Sequence, residues 1–375
     1  MPDWRFLRNV LLKAILLFVV FNLLFAALLP AGTASLGRIS AYNLLFPGRL
    51  RFPFGEDPTV SYNLSLYDLD AMFASHVLAA GSKPADEYRV LLVGDSSVWG
   101  TLLHPQDTLA GQLNAAGLTG CSGKAVRFYN LGYPTLSLTK DLMVLSKGMA
   151  YHPDLVIWLV TLQSFPRSVQ LASPLVANNP ALVDGLIKQY GLQLDPNDPA
   201  LVKPDYWQQT IIGQRRSLAD LLRLQLYGVM WAATGIDQDY PKTYTPAQRD
   251  FSTDASFNNG QPPKLPLDQL SFDALKAGML VVGPKTPVLL VNEPTLISSG
   301  KNSDIRYNFY YPRWAYDQYR TALTDLSQRS GWNLLDLWNL EPEQQFTNSA
   351  IHLNPAGESL LAQRLSSAIQ PQLCH

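Results

Sequence analysis

The stretch VLLVGDSSVWG, residues 90–100, runs apolar and β-branched, then stops on a glycine, an acid and two serines. A hydroxyl at such a place either holds a turn or, with a base in reach, serves as a nucleophile toward acyl groups. The base has to come from five histidines. His76 lies before the regular pattern begins, His152 falls at the start of a strand and so at the wrong end, and His375 is the last residue. His104 sits in the loop after Ser96 and stays open on position. His352 fits best, because it follows the last strand and stands just before a helix start marked by Asn354 as N-cap and Pro355 at the first helical position. Asp95 reads as a turn-stabilising or anion-screening residue rather than an acid catalyst. No Gly-rich phosphate loop and no HExxH-type metal cluster is present.

The elements that must carry these residues alternate. YRVLLVG from Tyr88 is a run suited to burial on both faces of a parallel sheet. Asp107 is placed to cap a helix through TLAGQLNAAGL. VRFYNLG predicts a second strand, LTKDLMVLSKGMA a helix, and PDLVIWLVT a third strand. Residues 165–280 break the rhythm, with no convincing strand but two helical stretches, PALVDGLIKQYGL and RRSLADLLRLQLYGVMWAATG. The second is apolar for most of its length, so it either packs on the main domain or lies in a lipid interface. PVLLVNEP, RWAYDQYRTALTDLSQRSG, WNLLDLW and a helix after His352 then resume the pattern. The expected fold is a three-layer αβα sandwich with a mostly parallel, flavodoxin-like sheet, whose ligands bind at the carboxyl ends of the strands. The expected organisation is a tail and anchor over 1–30, a membrane-proximal segment over 31–87, and a main domain over 88–375 with 165–280 inserted as a cap.

Residues 10–29, VLLKAILLFVVFNLLFAALL, carry one charge, Lys13, and one amide, Asn22. Twenty helical residues rise about 30 Å, enough to cross a hydrocarbon core. Arg5, Arg8 and Lys13 at the near end place the short tail in the cytoplasm, against Arg38, Arg49 and Arg51 on the far side. The segment therefore reads as a single-pass anchor, or else as a signal peptide cleaved near PAGTAS, with the bulk of the chain extracytoplasmic. A net charge of −1, from 29 basic and 30 acidic residues, leaves no footprint for nucleic acid. Charged residues at 16% are few for a soluble enzyme, in keeping with a bilayer as a partner. Two cysteines cannot build a thiolate metal site. Cys121 precedes the second strand, at the amino edge. A final helix running back from the carboxyl edge would bring Cys374 to that same edge, where the two would either form a disulfide or stay two unrelated thiols.

VLLVGDSS, YNLGYPTLS, PDLVIWLVTLQS and IHLNPAG stand in the order found in the SGNH, or GDSL-type, hydrolases, and the chain resembles that superfamily over roughly residues 88–164 and 285–373. The resemblance implies Ser96 as nucleophile and oxyanion donor, Gly132 as a second backbone donor and His352 as general base. The family's asparagine falls at Gln163, and its aspartate, three residues before the histidine, falls at Ser349 with Asn348 beside it. Asp336 and then Glu293 are the acids nearest in topology to orient the histidine instead. The implied chemistry needs no cofactor. It implies a serine esterase or O-acyltransferase on acyl esters of an envelope glycan or a lipid-linked substrate. Some anchored relatives serve polysaccharide O-acetylation beside membrane-bound O-acyltransferases. A degenerate glycan-binding or assembly protein and a lipid-directed lipase are the competing readings. The aromatic run YNFYYPRWAYDQY, residues 307–319, would serve either as a sugar-stacking groove or as a packing face.

Overall fold

The computed structural model describes residues 3–29, 36, 40–46, 67–74 and 76–374. The cleavage-like residues 30–35, Arg38, Arg49, Arg51 and His375 lie outside the described residues. The chain forms two units, one made of residues 1–51, 55–77 and 202–238, the other of 52–54, 78–201 and 239–375.

In the first unit, helix α1 (Trp4–Leu28) is capped by the Asp3 side chain on the Arg5 N–H and has a mean hydropathy of 2.6 over its most apolar window. It is long and apolar enough to span a membrane. The short helices α2 (Ala41–Leu45) and α3 (Leu69–Ala74) follow. The Ala41 N–H donates to Gln225 Oε1 at 2.7 Å, and the Tyr42 hydroxyl donates to Asp237.

The second unit holds a five-stranded sheet. Its strands are β1 (Glu87–Gly94), β2 (Ala125–Gly132), β3 (Leu155–Val160), β4 (Val288–Asn292) and β5 (Asn333–Asp336). All neighbours pair in parallel in the order β2-β1-β3-β4-β5, the flavodoxin-like arrangement expected. β1 and β3 are buried at every position, which is why they read as unbroken apolar runs. The helices of this unit begin with α4 (Ser96–Trp99), α5 (Leu109–Ala115), α6 (Leu138–Gly148), α7 (Pro174–Ala177) and α8 (Pro180–Tyr190). After α9 (Arg215–Thr234), which belongs to the first unit, come α10 (Phe272–Val282), α11 (Arg313–Ser330) and α12 (Pro355–Ile369). α5 packs with α12 and α6 with α10.

Three sequence expectations change. Thr108, not Asp107, caps α5, its hydroxyl accepting from the Gly111 N–H, while Asp107 ends a preceding 3₁₀ turn. Helix α10, unforeseen, is the crossover that a parallel β3-to-β4 connection requires. Its Gly278 lies flat against Trp158, where a Cβ would come within 2.3 Å of the indole. The insertion over 165–280 is also not one cap. Its ends are tied together by the Ser271 N–H on Phe165 O at 2.7 Å, and Gln170 anchors its start. The Gln170 amide accepts from the Thr139 N–H and donates to the Ser164 and Pro166 carbonyls, all at 2.9 Å. Only 202–238 leaves the sheet unit.

At the amino edge Cys121 and Cys374 are bonded, with Cα atoms 4.7 Å apart. The Cys121 N–H donates to Leu373 O, and the Tyr88 hydroxyl to Gln372 O.

Candidate active site

β1 delivers Ser96 to the carboxyl edge, beside the point where the strand order reverses. Gly94 makes the turn possible, because a Cβ there would lie 2.6 Å from Val98 Cγ2. Asp95 Oδ1 then accepts the Ser97 N–H at 2.9 Å and caps α4, so Ser96 becomes the first helical residue. The Ser96 N–H has no acceptor among the described residues. Gly132, at the matching end of β2, touches α4 from the side. A Cβ there would stand 2.4 Å from the Trp99 nitrogen.

His352 reaches Ser96 from a tight loop. The Thr347 N–H donates to His352 O at 2.9 Å, and Phe346 bridges Leu353, closing residues 348–351 into a turn. Asn354 caps α12 through the N–H groups of Ala356 and Gly357, both at 3.0 Å. The ring sits with Nε2 2.7 Å from Ser96 Oγ and Nδ1 3.0 Å from Asn348 Oδ1. An amide oxygen only accepts, so Nδ1 carries the proton and the Nε2 lone pair faces the serine hydroxyl. The Thr347 hydroxyl lies 3.2 Å from the same Asn348 oxygen and 3.2 Å from His352 O, and can donate to either. Burial pushes the His352 pKa down to about 4, so the ring is neutral near pH 7.

The other expected partners lie elsewhere. Asp336 accepts Arg320 through Nε and Nη2 at 3.0 and 2.6 Å, and Asn292 Nδ2 at 2.8 Å, so it is held away from His352. Glu293 accepts the Ser97 hydroxyl, not the imidazole. Ser349 Oγ is buried without a hydrogen-bond partner and makes no contact with the ring. His104 stacks on Tyr240 with centroids 4.2 Å apart, and His152 occupies a left-handed turn at φ 54°. The Gly132 N–H, expected as an oxyanion donor, is given to Asn130 Oδ1 at 3.0 Å. Gln163 stands three residues beyond β3, its N–H on the Tyr311 hydroxyl at 3.2 Å and its side-chain amide free of partners among the described residues. The aromatic run 307–319 is chiefly a packing face. Tyr307, Tyr311, Tyr316 and Tyr319 are buried, with Tyr311 stacked on Tyr316 at 4.7 Å, and Phe309, Tyr310 and Trp314 are half-buried.

Sequence reasoning missed Asn348 as the histidine's partner. No sequence signal marks it, because the Thr347–His352 closure that brings the fourth residue back, not the third, to the ring is a contact made only in the fold.

Beneath the serine lies a buried charged cluster. Lys140 donates to Gly94 O at 2.6 Å and to Asp141, whose other oxygen accepts Trp158 Nε1 at 3.1 Å. Burial raises the Asp95 carboxyl to about 6, against the pull of the Lys140 ammonium. Burial raises Asp141 as well, and burial together with the Asp95 charge raises Glu293 well above the usual range. A carboxyl raised on folding stabilises the native state below its unfolded pKa, and that contribution is lost as pH rises through the folded value. Glu293→Gln keeps an acceptor for Ser97 and cannot ionise. Its Tm should exceed that of the wild type at pH 8 by a few degrees and match it at pH 4, as read by calorimetry. A lower Tm at pH 8 would show that the ionised carboxylate is the stabilising form.

Gly132 yields a second expectation. Gly132→Ala should press on the α4 backbone, cost about 1–3 kcal/mol by overpacking, and lower any ester turnover roughly tenfold by displacing Ser96. Unchanged kinetics in a folded variant would remove the link between this contact and the serine.

Fold and site together define an α/β protein with a serine–histidine–asparagine constellation at the carboxyl edge of a parallel sheet. No family model matches the chain, and no curated protein matches it. Among solved structures, it is similar to a lipolytic protein of the G-D-S-L family from Veillonella parvula DSM 2008, at 9% identity and a TM-score of 0.36, covering 74% of this chain and 96% of that one. A carbohydrate acetylesterase family member from Sinorhizobium meliloti aligns at 13% identity and 0.34, over 76% and 98%. The native M. smegmatis aryl esterase aligns at 14% and 0.35, over 76% and 99%. Overlap this loose carries no weight for the chemistry.

Proposed function

We propose that the chain is a serine esterase, and the observation that carries this reading is the 2.7 Å approach of His352 Nε2 to Ser96 Oγ. The imidazole takes the hydroxyl proton as the oxygen attacks an ester carbonyl, and the resulting alkoxide lies at the start of α4. There the free Ser96 N–H and the Gln163 amide are the available donors. Collapse expels the alcohol, which takes the proton from His352. Water, or a sugar hydroxyl in a transferase, resolves the acyl-enzyme by the same route reversed. Acetyl-type esters of an envelope glycan are the substrate class that the motif resemblance favours. In this reading α1 anchors the protein with the sheet unit outside the cytoplasm.

The test uses the full-length protein in detergent. A fluorophosphonate should add one adduct, mapped by mass spectrometry to the peptide holding Ser96, and p-nitrophenyl acetate should be hydrolysed at a rate the adduct abolishes. A glycan hydroxyl acceptor that captures the acetyl group in place of water would assign transfer over hydrolysis. A second reading, a decayed scaffold that binds glycan without turnover, is favoured by one observation, the engagement of the Gly132 N–H by Asn130. No adduct and no turnover would end the esterase proposal, and retention of the protein on an immobilised glycan would then support the second reading.

A further inference from the structure

The unit containing α1 carries an apolar surface that its own packing does not cover. α9 buries one side, where the small residues Gly228 and Ala232 sit, and α2 lies against it. The opposite side presents Leu222, Leu226 and Met230 at four-residue spacing, 66%, 67% and 58% exposed. Upstream, Trp207 is 69% and Ile212 51% exposed.

What covers this surface follows from how it is tied to α1. The Ile212 N–H donates to Asn22 Oδ1 at 3.0 Å, and the Tyr206 hydroxyl to Leu23 O at 3.1 Å. Asn22 is six residues from the end of α1, about 9 Å along the axis, in a helix of 25 residues that rises about 37 Å. If α1 crosses a hydrocarbon core of about 30 Å, those contacts fall in the outer part of the leaflet at its carboxyl end. Residues 206–212 are then held about 5 Å inside the acyl boundary, next to the interface where Tyr and Trp are the favoured side chains. The one polar side chain in the second half of α1 finds its hydrogen bond there instead of facing lipid. The charges of α9 suit the same depth. Arg215 and Arg216 stand exposed at its start, and Arg223 is neutralised by Asp220 at 2.6 Å within the exposed side.

We propose that residues 206–230 are a second membrane element, lying in the leaflet at the carboxyl end of α1 with Trp207, Ile212, Leu222, Leu226 and Met230 in the acyl boundary. The proposal rests on the reading of α1 as a membrane span, and the test separates the two. The full chain is placed in phosphatidylethanolamine–phosphatidylglycerol vesicles, labelled with a lipid-soluble iodophenyl diazirine and digested for mass spectrometry. The β3 peptide, enclosed in the sheet, is the reference. Peptides of α1 and of 206–230 should both carry label at least about tenfold above that reference, as lipid-facing segments do. Label on α1 alone overturns the second element, leaves the anchor intact, and marks the surface as a seat for protein, including a second copy. Label on neither overturns both.

Discussion

Asn348→Asp is expected to raise kcat/KM for an ester at pH 8 on the order of 10²-fold. Replacing a triad carboxylate by its amide costs about 10⁴ where the amide also enforces the wrong histidine tautomer. Here the tautomer is already right, because Asn348 turns its oxygen to Nδ1. What the amide lacks is charge. The imidazolium formed as Ser96 attacks has no carboxylate beside it, and burial opposes it further, as the pKa of about 4 records. A carboxylate 3 Å away would stabilise that cation selectively in the transition state, which is the part that raises rate. The same charge must move the acid limb. In the wild type kcat/KM should hold from pH 8 to near 5 and fall with one proton about pH 4, whereas Asn348→Asp should lose activity from the ordinary histidine range downward. The two pH profiles should therefore cross. Equal rates at pH 8 with superimposable limbs would mean that Asn348 does not act through the ring.

Lys140→Met is expected to cost about 3–5 kcal/mol at pH 8, the usual penalty for stripping one partner from a buried ion pair. Lys140 is fully buried, is paired with Asp141, acts electrostatically on Asp95 and Glu293, and also donates to the Gly94 carbonyl. Methionine keeps the length but leaves the Asp141 oxygen without its ammonium, while Gly94 O retains the Tyr133 N–H at 3.0 Å. At 2–4 °C per kcal/mol for a domain of this size class, Tm should drop by about 10 °C. The deficit should shrink toward pH 5 as the raised carboxyls take up protons, since their neutral forms cost little to bury. A Tm within about 2 °C of wild type at pH 8 would mean that the cluster is already discharged without the ammonium.

Much of this fold could be read directly. β1, β3 and β4 are buried on both faces, so their apolar runs are unmistakable, and Gly94 with Asp95 announced the turn that presents Ser96. His352 was legible because Asn354 and Pro355 fix a helix start, which limits where the preceding residue can go. Other parts depend on contacts that no local pattern carries. Whether the Gly132 N–H faces the site or a side chain is decided by Asn130 two residues earlier, and the same glycine serves α4 by having no Cβ. Asp336 looked available at the end of β5 until Arg320, sixteen positions away on α11, claimed it. Helix α10 is hard to read because DALKAGMLVV is apolar even on its outer side, where Leu280 stands exposed, so no polar face marks the helical period. α9 keeps two readings in sequence, and only its grouping with α1 in the first unit takes it out of the sheet unit.

The disulfide from Cys121 to Cys374 joins the start of β2 to the end of the chain across 253 positions, and Ser96 and His352 are 256 apart. A growing polypeptide folds from its amino end as it emerges, so β1 and its hydroxyl are in place long before α12 exists. Until His352 has been made, that hydroxyl lacks its imidazole and stays an ordinary alcohol. Any action on esters therefore waits until the segment holding His352 and α12 has folded back beside β1.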